Sequence, residues 1–197
     1  MAISCSKNPA ELYAQFPRLE TQNLLLRDLV PGDDEALFSI FSDSQVTRYY
    51  DLDTFRTIDE ARQLIARYTS RFLNQVGIRW GIARKENPAT LIGSCGYNIW
   101  IPSSRRAIIG YDLGRAHWKQ GIMSEALKRV LDFGFGTMQL NRIEALVFAQ
   151  NLPSHRLLKK LGFKCEGVLR EYEFVKERFV DLTMYSLLRR EQIKKSE

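Results

Sequence analysis

Residues 117–123, HWKQGIM, stand between a strand-like run at 107–113 (AIIGYDL) and a run of good helix formers. A strand, a short basic loop with one glycine and then a helix leave unpaired backbone N–H groups at a helix N-terminus, where an anion is readily held. Lys119 adds positive charge beside them. Gly121 permits a tight turn and lets the backbone approach a bulky ligand. A plain strand-to-helix turn would use the same glycine. The loop lacks the GK[ST] of a Walker motif, and Gly114 and Gly121 are too far apart for GxGxxG. A second stretch, residues 151–163 (NLPSHRLLKKLGF), has the parts of a capped helix. Pro153 suits its first turn, Leu157, Leu158 and Leu161 form an apolar face, and Gly162 terminates it. Asn151 either caps this helix or, because it ends a strand, turns its side-chain amide toward a ligand lying beside that strand.

The elements that must position these residues alternate in period along the chain. Residues 23–29 (NLLLRDL) read as a strand, Pro31 and Gly32 break it, and a helix follows from Asp33 with Leu37, Ile40 and Phe41 at helical spacing. Residues 57–75 read as an amphipathic helix whose stripe is Leu64, Ile65, Tyr68 and Phe72, with Thr57 and Glu60 as a capping box. Strands at 79–84 and 91–100, separated by the turn ENPAT, lead with 107–113 into an antiparallel meander. Beyond it come a helix at 121–136, a strand at 142–148, a helix at 152–161, and strands around 163–169 and 178–188. The first twenty residues lack periodicity and read as an arm. The expectation is one α+β domain over 1–197, with a central mixed, mostly antiparallel sheet of about seven strands flanked by helices.

Bulk properties narrow the function classes. The 197 residues are 45% hydrophobic and 26% charged, ordinary values for a globular chain. No apolar run reaches the ~20 residues of a membrane span, and no secretory signal pattern opens the sequence. Cys5, Cys95 and Cys165 are widely spaced and odd in number, which argues against a disulfide framework and for a cytoplasmic protein. The net charge of +6 favours an anionic ligand. The basic residues are scattered among acidic ones without interleaved aromatics, so no specific nucleic-acid surface is expected.

Taken together, the segments LETQNLLLRDLVPGDDEALFSIFSD, HWKQGIMSEAL and NRIEALVFAQNLPSHRLLKKLGFKCEG resemble the GNAT superfamily of acetyl-CoA-dependent N-acetyltransferases. Within it they are most similar to the Rim-type branch, which includes enzymes that acetylate the N-terminal alanine of ribosomal proteins. The resemblance implies the GNAT fold, acetyl-CoA as co-substrate without a metal, and a primary amine as acceptor, with the N-terminal α-amine of a protein foremost. Small-molecule amines, or a CoA-binding sensor without catalysis, are the alternatives. It also allows a homodimer.

The resemblance further assigns residues. Trp118, Lys119, Gln120, Gly121, Ile122 and Met123 would hold the CoA pyrophosphate. The family pattern there is [Q/R]xxGx[G/A], with Trp118 at its first position and Met123 replacing the final small residue. The main chain from Tyr111 to Leu113 would pair with the pantetheine arm, and the Asn151 amide would hold it. Many relatives carry a tyrosine seven residues after the Asn to serve the leaving thiolate. Leu158 stands there, and Ser154 takes its place as the candidate beside the sulfur. For the base, Glu173 in REYEF ranks first, Asp112 second and Glu144 third. His117 can meet a phosphate, whereas His155 is expected on the exposed face of its helix. The aromatic-rich loop TRYYDLDTF reads, from its own residues, as a border of the acceptor cleft, with Tyr49 and Tyr50 either lining it or in the core and Asp51 and Asp53 either attracting a cationic acceptor or forming a turn. Phe179 and Asp181 match the branch's closing strand pair.

Overall fold

The computed structural model describes residues 13–193, so the first twelve residues of the expected arm, Cys5 among them, lie outside the described residues. The sequence punctuation acts as read in several places. Thr57 and Glu60 form the capping box of a helix over Ile58–Leu73. Asn151, Pro153 and Gly162 bound a helix over Leu152–Leu161, with Gly162 in the left-handed conformation that ends it.

In chain order the strands are β1 (Leu19–Glu20), β2 (Leu24–Arg27), β3 (Ile78–Arg84), β4 (Asn87–Ile101), β5 (Arg106–Leu113), β6 (Arg142–Phe148), β7 (Lys164–Val175) and β8 (Arg178–Leu188). The helices are α1 (Asp34–Phe41), α2 (Ser44–Thr47), α3 (Ile58–Leu73), α4 (Ile122–Gly136), α5 (Leu152–Leu161) and α6 (Arg189–Ile193). The strands form one sheet in the order β1-β2-β3-β4-β5-β6-β8-β7. That is eight strands among the described residues rather than seven. The extra one, β1, comes from the end of the expected arm, where Leu19 pairs with Leu26.

Two further expectations are corrected. ENPAT is not a turn between strands, because β4 already begins at Asn87, which pairs with Arg84. Pro88 is tolerated there because it sits at the start of the strand beside a register shift, and its carbonyl accepts from Arg27 Nε at 3.1 Å. β7 runs on to Val175 instead of stopping near Leu169, so Glu173 lies within a long hairpin, opposite Val180.

Alternation along β4 divides the core into two layers. Leu91 joins a cluster with Leu37, Phe41, Leu64 and Ile65 from α1 and α3. Its neighbour Ile92 joins the main cluster with Leu127, Val130, Leu158 and Leu161 from α4 and α5. Successive strand residues point to opposite faces, so α1 and α3 cover one face of the sheet and α4 and α5 the other.

One pairing decides where a ligand can enter. All strand pairs are antiparallel except β5–β6, and these two join over only three residues: Arg106–Arg142, Ala107–Ile143 and Ile108–Glu144. β5 then runs on to Leu113 and β6 to Phe148 without pairing with each other. The sheet forks there, leaving backbone groups of both strands free on the inner edges. No helix among the described residues is long and apolar enough to cross a membrane.

Candidate active site

The fork opens into a cavity of about 770 Å³ whose walls include Tyr111, Leu113, Trp118, Gly121, Asn151 and Ser154. Its first wall is the loop between β5 and α4. Lys119 (φ 62°) and Gly121 (φ 80°) are both left-handed, so the chain doubles back just before the helix. No protein atom lies within 4 Å of where a Gly121 side chain would begin, so the space before the first turn of α4 is open. Three contacts fix this loop. Trp118 Nε1 donates to the Leu113 carbonyl at 2.7 Å, Gln120 Nε2 to the Ala116 carbonyl at 2.9 Å, and Arg84 Nη2 to Gln120 Oε1 at 2.6 Å. Glu125, in the first turn of α4, accepts from Thr21 Oγ1 at 2.5 Å and from Asn23 N at 2.9 Å, which ties the helix to the β1–β2 turn. His117 also lines the cavity. Burial, then the Arg84 charge, holds its pKa below the usual value, so near neutral pH it is uncharged.

The second wall is the start of α5. Asn151 Oδ1 accepts from Ser154 N at 3.3 Å. The carbonyl end of that side chain therefore caps the helix, while its Nδ2 has no protein partner among the described residues. The two readings of Asn151 are thus compatible: one end caps and the other remains for a ligand. His155 is a correction. It is half-buried rather than exposed, with Nδ1 2.8 Å from Tyr185 Oη and Nε2 3.1 Å from the Ala149 carbonyl. A carbonyl only accepts, so Nε2 carries the proton and Tyr185 donates to Nδ1 in the neutral ring.

The three acids fare differently. Asp112 is enclosed: Oδ1 accepts from Ser94 N at 3.1 Å, and Oδ2 accepts from Ser94 Oγ at 2.6 Å and from Arg79 Nη2. The side chains of Arg79 and Asp112 are 3% and 1% exposed. Arg79 is itself held by Ser94, Asn98 and Tyr50 and lies over the Tyr68 ring. A carboxylate so engaged is a structural ion-pair partner, and Asp112 leaves the candidate bases. Glu144 leaves them too, being buried between Arg106 at 2.8 Å and Arg142 at 2.6 Å. Glu173 remains accessible, although it lies on the hairpin and not on the cavity wall. Burial, then repulsion from Asp51, pushes its pKa above the ordinary carboxylate value. A bulge aims it. Glu171 is left-handed (φ 48°), and its N–H donates to Asp181 Oδ1 at 2.8 Å, which gives Asp181 a definite task.

Comparison with known proteins settles the family. A model described as an acetyltransferase (GNAT) domain matches residues 23–164. This chain is a GNAT acetyltransferase. It is 41% identical over 174 residues to the uncharacterized N-acetyltransferase YoaA of Bacillus subtilis, covering 88% of this chain and 98% of that one. It is 31% identical over 96 residues to the ribosomal-protein-serine acetyltransferase of Escherichia coli, covering 49% and 54% respectively. A GNAT-family acetyltransferase structure from Bacillus anthracis superposes with a TM-score of 0.78 at 25% identity, covering 89% of this chain and all of that one.

A GNAT acetyltransferase takes its acetyl group from acetyl-CoA, and the cavity fits that co-substrate. Open amides at the α4 N-terminus suit the pyrophosphate, with Lys119 beside them. The Gln120 side chain turns to Arg84 instead of the cavity, so only its main chain is placed to contribute. Ile122 and Met123 are buried in the core by their side chains, which leaves backbone N–H groups as their contribution. The inner edge of β5 from Tyr111 to Leu113, where the Leu113 carbonyl already accepts from Trp118, and the Asn151 amide are the groups that could hold the pantetheine arm. Sequence reasoning missed the Arg79–Asp112 network and the grip of Glu125 on Thr21 and Asn23. Both join residues on separate elements, and no local pattern marks them.

Proposed function

We propose that this GNAT acetyltransferase modifies the N-terminal α-amine of a protein. The observation that carries the reading is the side of the molecule where residues 45–51 meet the β7–β8 hairpin. Lys176 Nζ ties the two by donating to the Thr47 carbonyl at 2.7 Å. Asp51 and Glu173 bring carboxylates there that can draw an ammonium group. Tyr172, Phe174 and Phe179 stay exposed along the hairpin and offer apolar surface to the residues that follow a terminal amine. The likeness to a ribosomal-protein-serine acetyltransferase supports the same acceptor class. A cytoplasmic setting and a homodimer accompany this reading.

Each retained residue then has a task. A primary amine is mostly protonated near neutral pH, and Glu173 takes its proton directly or through water. The raised pKa of Glu173 strengthens it as a base. A main-chain N–H of β5 near Leu113 donates to the thioester carbonyl oxygen as negative charge gathers there. Ser154 stands beside the sulfur and donates a hydrogen bond to it as the carbon–sulfur bond breaks.

The test mixes the protein and acetyl-CoA with peptides beginning Ala, Ser or Met, together with polyamines and aminoglycosides, and follows acetyl addition by mass spectrometry. Acetylation of a peptide α-amine is the expected result. A labelled small amine with unmodified peptides overturns the reading in favour of small-molecule acceptors. CoA binding with no product on any acceptor overturns it in favour of a sensor.

A further inference from the structure

Leu158, at the position where many relatives carry a tyrosine, is fully buried in the core and brings no polar group to the cavity. Across the fork, however, β5 presents one. Tyr111 lines the cavity, and its Oη is buried without a hydrogen-bond partner among the described residues. A buried polar atom left unpaired is costly and calls for an explanation. Its polar surroundings are few. The Ser154 side chain is beside it, and Tyr185 is the other hydroxyl nearby. In the neutral ring of His155, Tyr185 already donates its hydrogen bond to Nδ1, because Nε2 donates to the Ala149 carbonyl. Ser154 is fixed in the first turn of α5 by the bond from its N–H to Asn151, while its own hydroxyl proton is free to rotate.

We propose that the Tyr111 hydroxyl is a positioning group for acetyl transfer: it donates to Ser154 Oγ and leaves the Ser154 proton directed at the sulfur of bound CoA. This rests on the reading of Ser154 given above and supplies from strand β5 what the chain lacks at position 158. Burial, only partly offset by Ser154, pushes Tyr111 up to about 12. The phenol therefore keeps its proton at any working pH and acts by hydrogen bonding rather than by proton transfer to the sulfur. In the transfer, the amine lone pair forms the C–N bond. Glu173 or water takes the ammonium proton before this attack; the C–S bond then breaks with its electron pair going to sulfur, the nitrogen sheds its second proton to water, and the thiolate later takes a proton from solvent. Two aligned hydroxyls stabilise the charge that develops on sulfur.

The consequence is measurable without any acceptor. A sulfur that receives this hydrogen bond ionises more easily, so the thiol of CoA bound to the wild-type protein should titrate about one unit below the ordinary value of ~8.5. Ultraviolet absorbance of the thiolate reports it. In Tyr111→Phe, which keeps the ring and removes the orphaned oxygen, most of that lowering should disappear. Calorimetric affinity for CoA near neutral pH should change less than about twofold, since the arm and phosphate contacts are untouched. Ser154→Ala should behave alike, and the double variant should go no further than either single one, as expected for groups acting in series. Tyr185→Phe should leave the thiol unchanged. An ordinary titration in the wild type, a Tyr111→Phe protein indistinguishable from it, or a loss caused by Tyr185→Phe instead would each overturn the proposal. If the thiol shift depends on Tyr111 but no peptide is acetylated, the acceptor reading fails and this inference stands. If peptides are acetylated and Tyr111→Phe is silent, only this inference fails.

Discussion

Asp112 and Tyr111 are neighbours on β5, and their side chains point to opposite faces of the sheet. Toward α1 and α3, Asp112 meets Arg79, Ser94 and, through Arg79, Asn98 and Tyr50, so that every polar atom of the carboxylate has a partner. Toward α4 and α5, Tyr111 ends in a hydroxyl with no partner among the described residues, on the same cavity as an Asn151 amide nitrogen and a helix N-terminus that are likewise open among them. The first arrangement is what a stable interior requires. The second is what a binding site requires, because groups already satisfied by the protein cannot hold a ligand. Asp112 and Glu173 are both acids with plausible positions in sequence, yet only the one left accessible has a carboxylate available for chemistry.

The largest expected effect comes from breaking the closed face. Asp112→Ala leaves the Arg79 guanidinium buried without its counter-charge. Removing one member of a buried pair typically costs about 3–5 kcal/mol. For a chain of this size that is a drop in melting temperature of about 10 °C, read by calorimetry or circular dichroism. Replacing Arg79 as well, by Met, should make the double variant more stable than the sum of the two single losses, since the orphaned charge is gone. The folded fraction of Asp112→Ala should retain most of its kcat. Wild-type stability, or a kcat loss far exceeding the unfolded fraction, would return Asp112 to the list of bases.

A smaller effect on stability, but a large one on binding, is expected from Gly121→Glu on the open face. The substitution strains a backbone at φ 80°, at a cost of about 1–2 kcal/mol, yet meets no protein atom. Its carboxylate occupies the space where an anion is expected, and CoA affinity should fall at least about 100-fold, or about 2.7 kcal/mol. Gly121→Asn, which tolerates left-handed backbone and carries no charge, should lose far less of that affinity. Calorimetric titration separates the two. Equal losses would show that bulk rather than charge decides, and would weaken the assignment of the phosphate group to this turn.

How much of this was legible in the sequence follows from the range of the interactions. The helix over Leu152–Leu161 and the strands over Arg142–Phe148 and Arg178–Leu188 are marked by local punctuation: Asn151 and Pro153 before the helix, Gly162 after it, and alternating apolar residues in the strands. The loop at Gly121 is local as well, and its succession of strand, glycine and helix could be read directly. β7 was underestimated because its residues are mostly exposed and its register with β8 shifts twice, so no single period runs through it. The pairing of Arg79 with Asp112 spans β3 and β5 with β4 between them, and the meeting of Tyr111 with Ser154 spans the fork. Side chains 33 and 43 positions apart along the chain are brought together by sheet order, which no spacing in the sequence encodes.

The smallest expected effect tests whether Glu173, the accessible acid, is tuned by its surroundings as a base would be. Its pKa is raised by burial and further by the negative charge of Asp51. The base must be deprotonated to accept a proton, so kcat/KM should rise with pH along an acidic limb that reports this group in the free enzyme. Asp51→Asn removes the repulsion that disfavours ionised Glu173. The limb should therefore move to lower pH, by less than about one unit for an exposed neighbour. Asp53→Asn should leave it in place, and added salt should narrow the gap between the wild type and Asp51→Asn by screening the same repulsion. An unmoved limb would detach the profile from Glu173. A limb that moves upward would contradict the assignment outright, because losing a negative neighbour lowers the pKa of a carboxyl and of an ammonium alike.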